Sequence, residues 1–322
     1  MTVSVEPYDE FSYFPDNASE FAIAWNGPPT VTRVRAELPD GRHLSALRWG
    51  TGEPRLVMLH GGAQNAHTWD TVALALDCPM LAIDLPGHGH SDAGADGSVR
   101  PASNAADVAV AVAQLAPHSA AVVGMSLGGL TALALLSQHP ELVRKLVLVD
   151  ITPGVTPSKA QGIVDFVNGP ATFASFDELL ARTMEFNPHR SKSSLRRGIL
   201  HNAVQQPDGS WVWRYRRFTI GGPESAEGRT DEHGALWKVL DERQVPLLLT
   251  RGMRAGSVVD DLDEAEVLRR NPQATVVHFA ESGHSIQGDQ PVELAAAIRS
   301  FALPERDSHA GRSLDSEIIS SW

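Results

Sequence analysis

The stretch AAVVGMSLGGLTALALL, residues 120–136, places one serine between a short apolar run and a longer helix-like apolar pattern. Its first part is typical of a strand buried on both faces of a sheet, and its second part of a buried helix. Ser126 lies at the junction, preceded by Gly124 and followed by Gly128 and Gly129. Side chains at these glycine positions would collide with the neighbouring strand and helix if the chain turned sharply at the serine. The stretch therefore predicts a tight strand-to-helix turn with Ser126 at its tip.

Apolar runs of the same kind recur along the chain, with helix-like stretches between them. They lie at residues 55–60, 80–85, 120–125, 145–150, 246–252 and 274–280. Two alternating segments precede them, 30–38 and 42–50, and the turn residues PDG at 39–41 join these into an antiparallel hairpin at the sheet edge. The alternation of strands and helices predicts the α/β class, with a mostly parallel, doubly wound sheet of eight strands.

The alternation of strands and helices is interrupted between residues 152 and 244, which contain no apolar run of this kind. A structureless loop of that length is implausible in a compact domain. The segment contains helical patterns, and Ser175 and Glu178 form a capping-box pattern at the start of one of them. We expect a mostly helical cap, inserted after the sixth strand and lying over the sheet.

The predicted organisation follows from these patterns. It comprises an N-terminal extension (1–30), an α/β core (31–151 and 245–303), the cap (152–244) and a polar C-terminal tail (304–322). Within the cap, Trp211, Trp213 and Tyr215 alternate with other residues, which suits either a pocket lining or the interior of the cap.

Composition excludes several classes of partner. Among 322 residues, 39 are acidic and 27 are Lys or Arg, for a net charge of −12, which disfavours nucleic acid and anionic membranes. No apolar run reaches the roughly 18 residues of a membrane span, and the N-terminus lacks the pattern of a secretory signal. The single cysteine, Cys78, cannot form an internal disulfide. We expect a soluble, cytoplasmic protein acting on a small molecule, with a homodimer left open.

The chemistry begins with Ser126, which the G-x-S-x-G pattern predicts to be a nucleophile. A hydroxyl needs a base, and His284 in FAESGHSIQGDQP follows the last predicted strand, where its loop reaches the same end of the sheet. An oxyanion hole needs backbone N–H donors. We predict Leu127, the residue after the serine, and Gly62 in LHGGAQNAHTW, with Ala63 as its neighbour.

Other histidines suggest structural roles. His60 is expected to orient its glycine-rich loop, and DLPGHGHSD, residues 84–92, is interpreted as a turn motif. His88 and His90 form an H-x-H pair, but no cysteine or carboxylate cluster completes a metal site, and we expect no metal. No dinucleotide fingerprint or phosphate loop occurs, so no cofactor is implied.

The motifs LHGG…W, DLPGHGHSD, GMSLGG, LVLVD, LLLTRG and ESGHS, in this order, resemble the α/β-hydrolase fold superfamily, in the branch with a cap after the sixth strand. The resemblance covers roughly residues 31–303. It implies acyl transfer through an acyl-serine, with His284 acting first as base and then as acid. Ser126 separates the chain from the haloalkane dehalogenases and epoxide hydrolases of this fold, which carry Asp at that position.

The third member of the predicted triad departs from the family pattern. The family usually carries this carboxylate just after the strand predicted at residues 246–252. That position holds Ala255 here, in RGMRAGSVVDD, and Asp260 and Asp261 resemble the N-cap and first turn of a helix. Asp150 ends the sixth strand without a local partner, and a hydrogen bond to the Nδ1–H of His284 would satisfy its buried carboxylate. We favour Asp150 as the acid, with Asp260 or Asp261, or no functional acid, as alternatives.

Three functions fit the sequence. The first is a serine hydrolase of small, largely apolar carboxylic esters or lactones, and the second a carbon–carbon bond hydrolase of β-diketone-type substrates. The third is a catalytically silent, ligand-binding member of the fold. The diketone substrates carry carboxylates, so an inward-pointing arginine from the cap would favour them. The cap arginines concerned are Arg190, Arg196, Arg197, Arg214, Arg216 and Arg217.

Overall fold

A computed structural model of the chain describes residues 8–303 except 96, 98 and 217–225, without the side chains of residues 226–231. The predicted C-terminal tail, 304–322, lies outside the described residues. None of the helices in the described ranges is long and apolar enough to cross a membrane.

The described residues form eleven strands, which are arranged in two sheets. In chain order they are β1 (Val31–Glu37), β2 (His43–Trp49), β3 (Leu56–Leu59), β4 (Met80–Ile83), β5 (Ala121–Met125), β6 (Leu146–Val149), β7 (Thr172–Phe173), β8 (Ala203–Gln205), β9 (Trp211–Trp213), β10 (Leu247–Gly252) and β11 (Thr275–Phe279). The large sheet has the order β1-β2-β4-β3-β5-β6-β10-β11. β2 pairs antiparallel with β1 and β4, and all other pairs are parallel. The predicted eight-stranded, mostly parallel sheet and its N-terminal hairpin are confirmed.

Helices cover both faces of the large sheet. They are α1 (Phe14–Glu20), α2 (Asp70–Leu76), α3 (Pro101–Leu115), α4 (Leu127–Gln138), α5 (Gln161–Val167), α6 (Phe176–Phe186), α7 (Lys192–Asn202), α8 (Ala226–Glu242), α9 (Asp261–Arg270), α10 (Ile286–Asp289) and α11 (Pro291–Ala302). Alternate residues of β3 point to opposite faces: Val57 and Leu59 join one apolar cluster, while Leu56 and Met58 join another. Both faces are buried, which explains why the strand sequences are continuously apolar.

The segment between β6 and β10 holds helices α5 to α8 and a small antiparallel sheet of order β7-β9-β8. Strands of two or three residues are too short to show an alternating pattern, so sequence reasoning missed this sheet. In α8, Leu236, Val239 and Leu240 belong to the core cluster that contains the buried residues of α3 and α4. This end of the insertion therefore packs on the large sheet, and the predicted domain boundaries remain predictions.

Residues 8–21, here called the N-terminal strap, connect the core to the cap. Phe14 is buried in the core beside α2. Glu10 pairs with Arg33 of β1. In the cap, Arg197 of α7 donates to Asn17 Oδ1 at 2.7 Å and pairs with Glu20. The strap is thus held on both sides by charged and polar contacts.

Candidate active site

The strand-to-helix turn at Ser126 has the predicted shape. Ser126 has φ 52° and ψ −120°, a conformation that side-chain-bearing residues rarely adopt, and lies directly before α4. A Cβ added at Gly128 would lie 2.2 Å from the carbonyl oxygen of Leu59, and one at Gly124 would lie 2.4 Å from that of Gly128. The glycines are required because α4 approaches β3 and β5 so closely. Ser126 is thereby placed at the carboxyl end of β5 and the N-terminus of α4.

His284 contacts the carboxylate that ends β6. Its Nδ1 lies 2.9 Å from Asp150 Oδ2. An ionised carboxylate only accepts hydrogen bonds, so Nδ1 carries the proton and Nε2 has its lone pair free. Nε2 is buried and has no hydrogen-bond partner among the described residues. His284 and Ser126 line the same cavity.

The Asp150 carboxylate is fully buried and surrounded by donors. Oδ1 accepts from the Gly252 N–H at 2.8 Å and the Ser257 hydroxyl at 2.6 Å, and Oδ2 accepts from the Val258 N–H at 3.0 Å. With His284, these donors compensate the cost of burying the charge. The loop that carries the acid in related proteins supplies donors here instead. Sequence reasoning missed Ser257, although a serine two residues after Ala255 was a signal for it.

The alternative carboxylates have other partners. Asp260 is the N-cap of α9, accepting from the Asp263 N–H at 2.9 Å, and it pairs with Lys159. The Asp261 side chain is 93% exposed and pairs with Arg251. Neither contacts His284, and both occupy the helix-capping positions that the sequence predicted.

Two buried histidines fix the loop that contains Gly62. His88 Nε2 accepts from the Ala63 N–H at 3.1 Å, and its Nδ1–H donates to the Pro86 carbonyl at 3.0 Å. His60 Nε2 accepts from the Leu85 N–H at 2.9 Å. Burial lowers the pKa of His88 to about 3 and also lowers that of His60, so both rings are neutral acceptors. The Ala63 N–H is consequently engaged.

Gly62 and Leu127 keep their backbone donors available. No group in the described part of the chain accepts from the N–H of either residue, whereas the Gly61 N–H donates to Gln64 Oε1 at 3.0 Å. Leu127 is the first residue of α4, where a helix offers its N–H no internal acceptor. Gly62 lines the cavity beside Ser126.

The cavity has a volume of about 640 Å³ and lies between the core and the cap. Its apolar wall includes Phe166, Val167, Phe186, Leu195 and Trp213. Of the three predicted aromatics, Trp213 lines the cavity. Trp211 packs edge-on against Phe176 inside the cap, and Tyr215 is buried against Ala63 and Val167. Trp213 also packs in the interior of the cap with Trp211, so it fits both interpretations, whereas Tyr215 joins the cap to the loop of Ala63.

A second polar cluster, His67, Asp70 and His201, adjoins the cavity. Its donor atoms lie within 4.8 Å of one another, so it has the residue types of a divalent-metal site, which the sequence did not suggest. His67 Nδ1 lies 2.9 Å from Asp70 Oδ2. Burial opposes charge on His67, but the Asp70 carboxylate outweighs it and raises the pKa of His67 to about 9. The prediction that the chain needs no metal remains a prediction. For the H-x-H pair, both ring nitrogens of His88 are already engaged.

The comparisons with known proteins agree with this fold. Residues 54–291 match the family model of the alpha/beta hydrolase fold. The chain belongs to the α/β-hydrolase fold family. It is 44% identical over 299 residues to Esterase Rv0045c of Mycobacterium tuberculosis, covering 90% of this chain and 95% of the esterase.

This α/β-hydrolase also resembles more distant members. It is 30% identical to the 3-hydroxybutyrate-oligomer hydrolase of Cupriavidus necator, covering 85% of this chain and 98% of that protein. The crystal structure of Esterase Rv0045c aligns with a TM-score of 0.77 at 41% identity, covering 92% of this chain and 99% of that one. E-2-(acetamidomethylene)succinate hydrolase, 22% identical with a TM-score of 0.71 over 84% of this chain and 99% of that one, shares the fold.

Proposed function

We propose that this α/β-hydrolase cleaves small, largely apolar carboxylic esters or lactones through an acyl-serine intermediate. It is 44% identical to Esterase Rv0045c over most of both chains, and this relationship makes it a carboxylic ester hydrolase. The contact between His284 and the buried Asp150, beside Ser126 in one apolar-walled cavity, carries the proposal.

In the proposed reaction, Ser126 Oγ attacks the ester carbonyl while His284 Nε2 accepts its proton. Asp150 holds His284 in the required tautomer and stabilises the imidazolium that forms. The N–H groups of Gly62 and Leu127 donate to the developing oxyanion, and the positive end of α4 adds to this stabilisation. His284 then protonates the leaving alcohol, and a water molecule, deprotonated by His284, hydrolyses the acyl-serine.

The direct test is initial-rate hydrolysis of p-nitrophenyl esters from acetate to decanoate by the wild type and by Ser126→Ala. We expect turnover by the wild type and a loss of at least about 10³-fold in the variant, because the nucleophile is absent. The chain-length optimum would report the usable depth of the cavity. A folded wild type without turnover on any ester would contradict the proposal.

The carbon–carbon hydrolase is the second candidate, because arginines of the cap reach the cavity. Arg190 and Arg197 line it, whereas Arg196, Arg214 and Arg216 do not, and Arg217 lies outside the described residues. The same Ser126→Ala pair assayed on a β-diketone acid would separate the two reactions. The silent ligand-binding alternative is disfavoured by the His284 contact with Asp150.

We also propose a cellular location and a class of binding partner for the enzyme. We place it in the cytoplasm, acting on a small molecule without nucleic acid or membrane, which its net charge of −12 and single cysteine support. A homodimer remains open, and size-exclusion chromatography with light scattering would decide it.

A further inference from the structure

Four lysine and arginine side chains line the cavity that contains Ser126, and they differ in how their charge is compensated. They are Lys159, Arg190, Arg197 and Arg254. Three of them pair with a carboxylate, the partners being Asp260 and Asp263, Glu20, and Glu281. Within the part of the chain that the structure describes, no carboxylate forms an ion pair with Arg190. Of these four side chains, Arg190 is thus the one that lacks a carboxylate partner among the described residues.

Arg190 is held in place by neutral groups. It lies just before α7, and its Nη2 donates to the Ser194 hydroxyl at 2.6 Å. Its Nε is buried and has no partner among the described residues. A Cβ at Gly288, in the short helix after His284, would lie 2.9 Å from the guanidinium carbon. The guanidinium therefore packs against the backbone that follows His284, with donors left unused.

The electrostatic balance of this group is unfavourable without a ligand. Burial lowers the pKa of Arg190, and the carboxylates of Asp289 and Glu20 oppose this effect without forming an ion pair with it. Burial also raises the pKa of Asp289, which weakens it as a counter-ion. A cation removed from water is costly unless it is paired and hydrogen-bonded. A ligand carboxylate would supply both the charge and the acceptors, because a guanidinium binds a carboxylate through two parallel hydrogen bonds.

We infer that Arg190 binds a carboxylate carried by the substrate, so that the preferred substrates are small esters whose otherwise largely apolar body carries one free carboxylate group. This inference rests on the proposed ester hydrolysis at Ser126. Arg190 is then a specificity-determining residue. Because the protein has a net charge of −12, an anionic substrate is bound only where a local cation such as Arg190 offsets the overall repulsion.

The test uses two ethyl esters of equal shape, the monoethyl ester of glutaric acid and the corresponding amide, in which a neutral carboxamide replaces the carboxylate. Hydrolysis is followed by pH-stat. We expect the wild type to prefer the acid, and Arg190→Gln to lower kcat/KM for the acid by about 10- to 100-fold, the range for a lost hydrogen bond to a charged group. The amide should change by less than about threefold, because it makes no charged contact. Arg196→Gln is the matched control: Arg196 lies in α7, outside the cavity lining.

A binding measurement separates the inference from the proposed reaction. Glutarate should raise the melting temperature of Ser126→Ala, and adding Arg190→Gln should abolish that shift, whether or not the wild type hydrolyses esters. Arg190→Lys, which keeps the charge but loses the paired geometry, should retain part of it. Equal kcat/KM for the acid and the amide in the wild type, or a glutarate shift that survives Arg190→Gln, would overturn the inference. A glutarate shift that needs Arg190 but comes without ester turnover would instead uphold carboxylate binding by Arg190 and reject the proposed ester hydrolysis.

Discussion

Replacing Asp150 with asparagine changes one atom at the centre of the proposed site. The carboxylate accepts hydrogen bonds from the Gly252 and Val258 N–H groups, the Ser257 hydroxyl and His284 Nδ1. An amide NH₂ at the Oδ2 position would face two donors. His284 would then accept at Nδ1 and carry its proton on Nε2, which makes it useless as a base toward the serine.

The expected loss in kcat is about 10³- to 10⁴-fold, which corresponds to about 4 to 5.5 kcal/mol of transition-state stabilisation. In either orientation the amide NH₂ also opposes one backbone N–H, from Gly252 or Val258, so unfolding in urea should show a stability loss of about 1–3 kcal/mol. The assay is kcat on the best p-nitrophenyl ester at a temperature where circular dichroism shows the variant folded.

Asp261→Asn is the matched control, since this exposed side chain in the first turn of α9 pairs only with Arg251 among the residues described, and its kcat should stay within about twofold of the wild type. A kcat loss under tenfold in a folded Asp150→Asn would refute the assignment of Asp150 as the triad acid. A large loss in Asp261→Asn would place the acid after β10 instead.

Two further predictions concern stability. His67 has its pKa raised to about 9 from 6.5, mainly because the Asp70 carboxylate outweighs burial, so its stabilisation is complete below about pH 6.5 and is lost as the pH rises through about 9. Melting temperatures across this range should fall more steeply in the wild type than in His67→Gln, and parallel curves would contradict the ion pair. Gly128→Ala would place a Cβ 2.2 Å from the Leu59 carbonyl, and should cost at least about 1–3 kcal/mol in urea unfolding. Gly198→Ala, in α7 with nothing within 4 Å, should be neutral or stabilising, and an equal loss in both would reject the packing argument.

The sequence predicted the large sheet well because its strands are buried on both faces. Continuous apolar runs placed the six parallel-region strands to within about two residues of their observed bounds. The turn at Ser126 was equally predictable from the sequence, because the close approach of backbone segments at Gly124 and Gly128 leaves room only for glycine. Burial of a strand and close backbone packing both restrict which residue types can stand at a position, so both can be predicted from the local sequence.

The rest of the site depends on contacts between distant segments. Asp150 could be favoured from its missing local partner, but Ser257, which binds it, comes 107 residues later and carries no periodic signal. The sequence likewise did not show which cap arginine reaches the cavity: Arg190, just before α7, lines it, whereas Arg196, six residues later within α7, does not. Helical spacing gives the face of a helix and does not give what that face packs against.

The N-terminal strap has a consequence for synthesis of the protein. Asn17 contacts Arg197, which is 180 residues further along the chain. During translation the strap leaves the ribosome long before α7 does, so its contacts with the cap cannot form until α7 has also been synthesised. Asn17 and Phe21 also form part of the cavity wall. The cavity wall to which the strap contributes is therefore completed only when the cap has been synthesised.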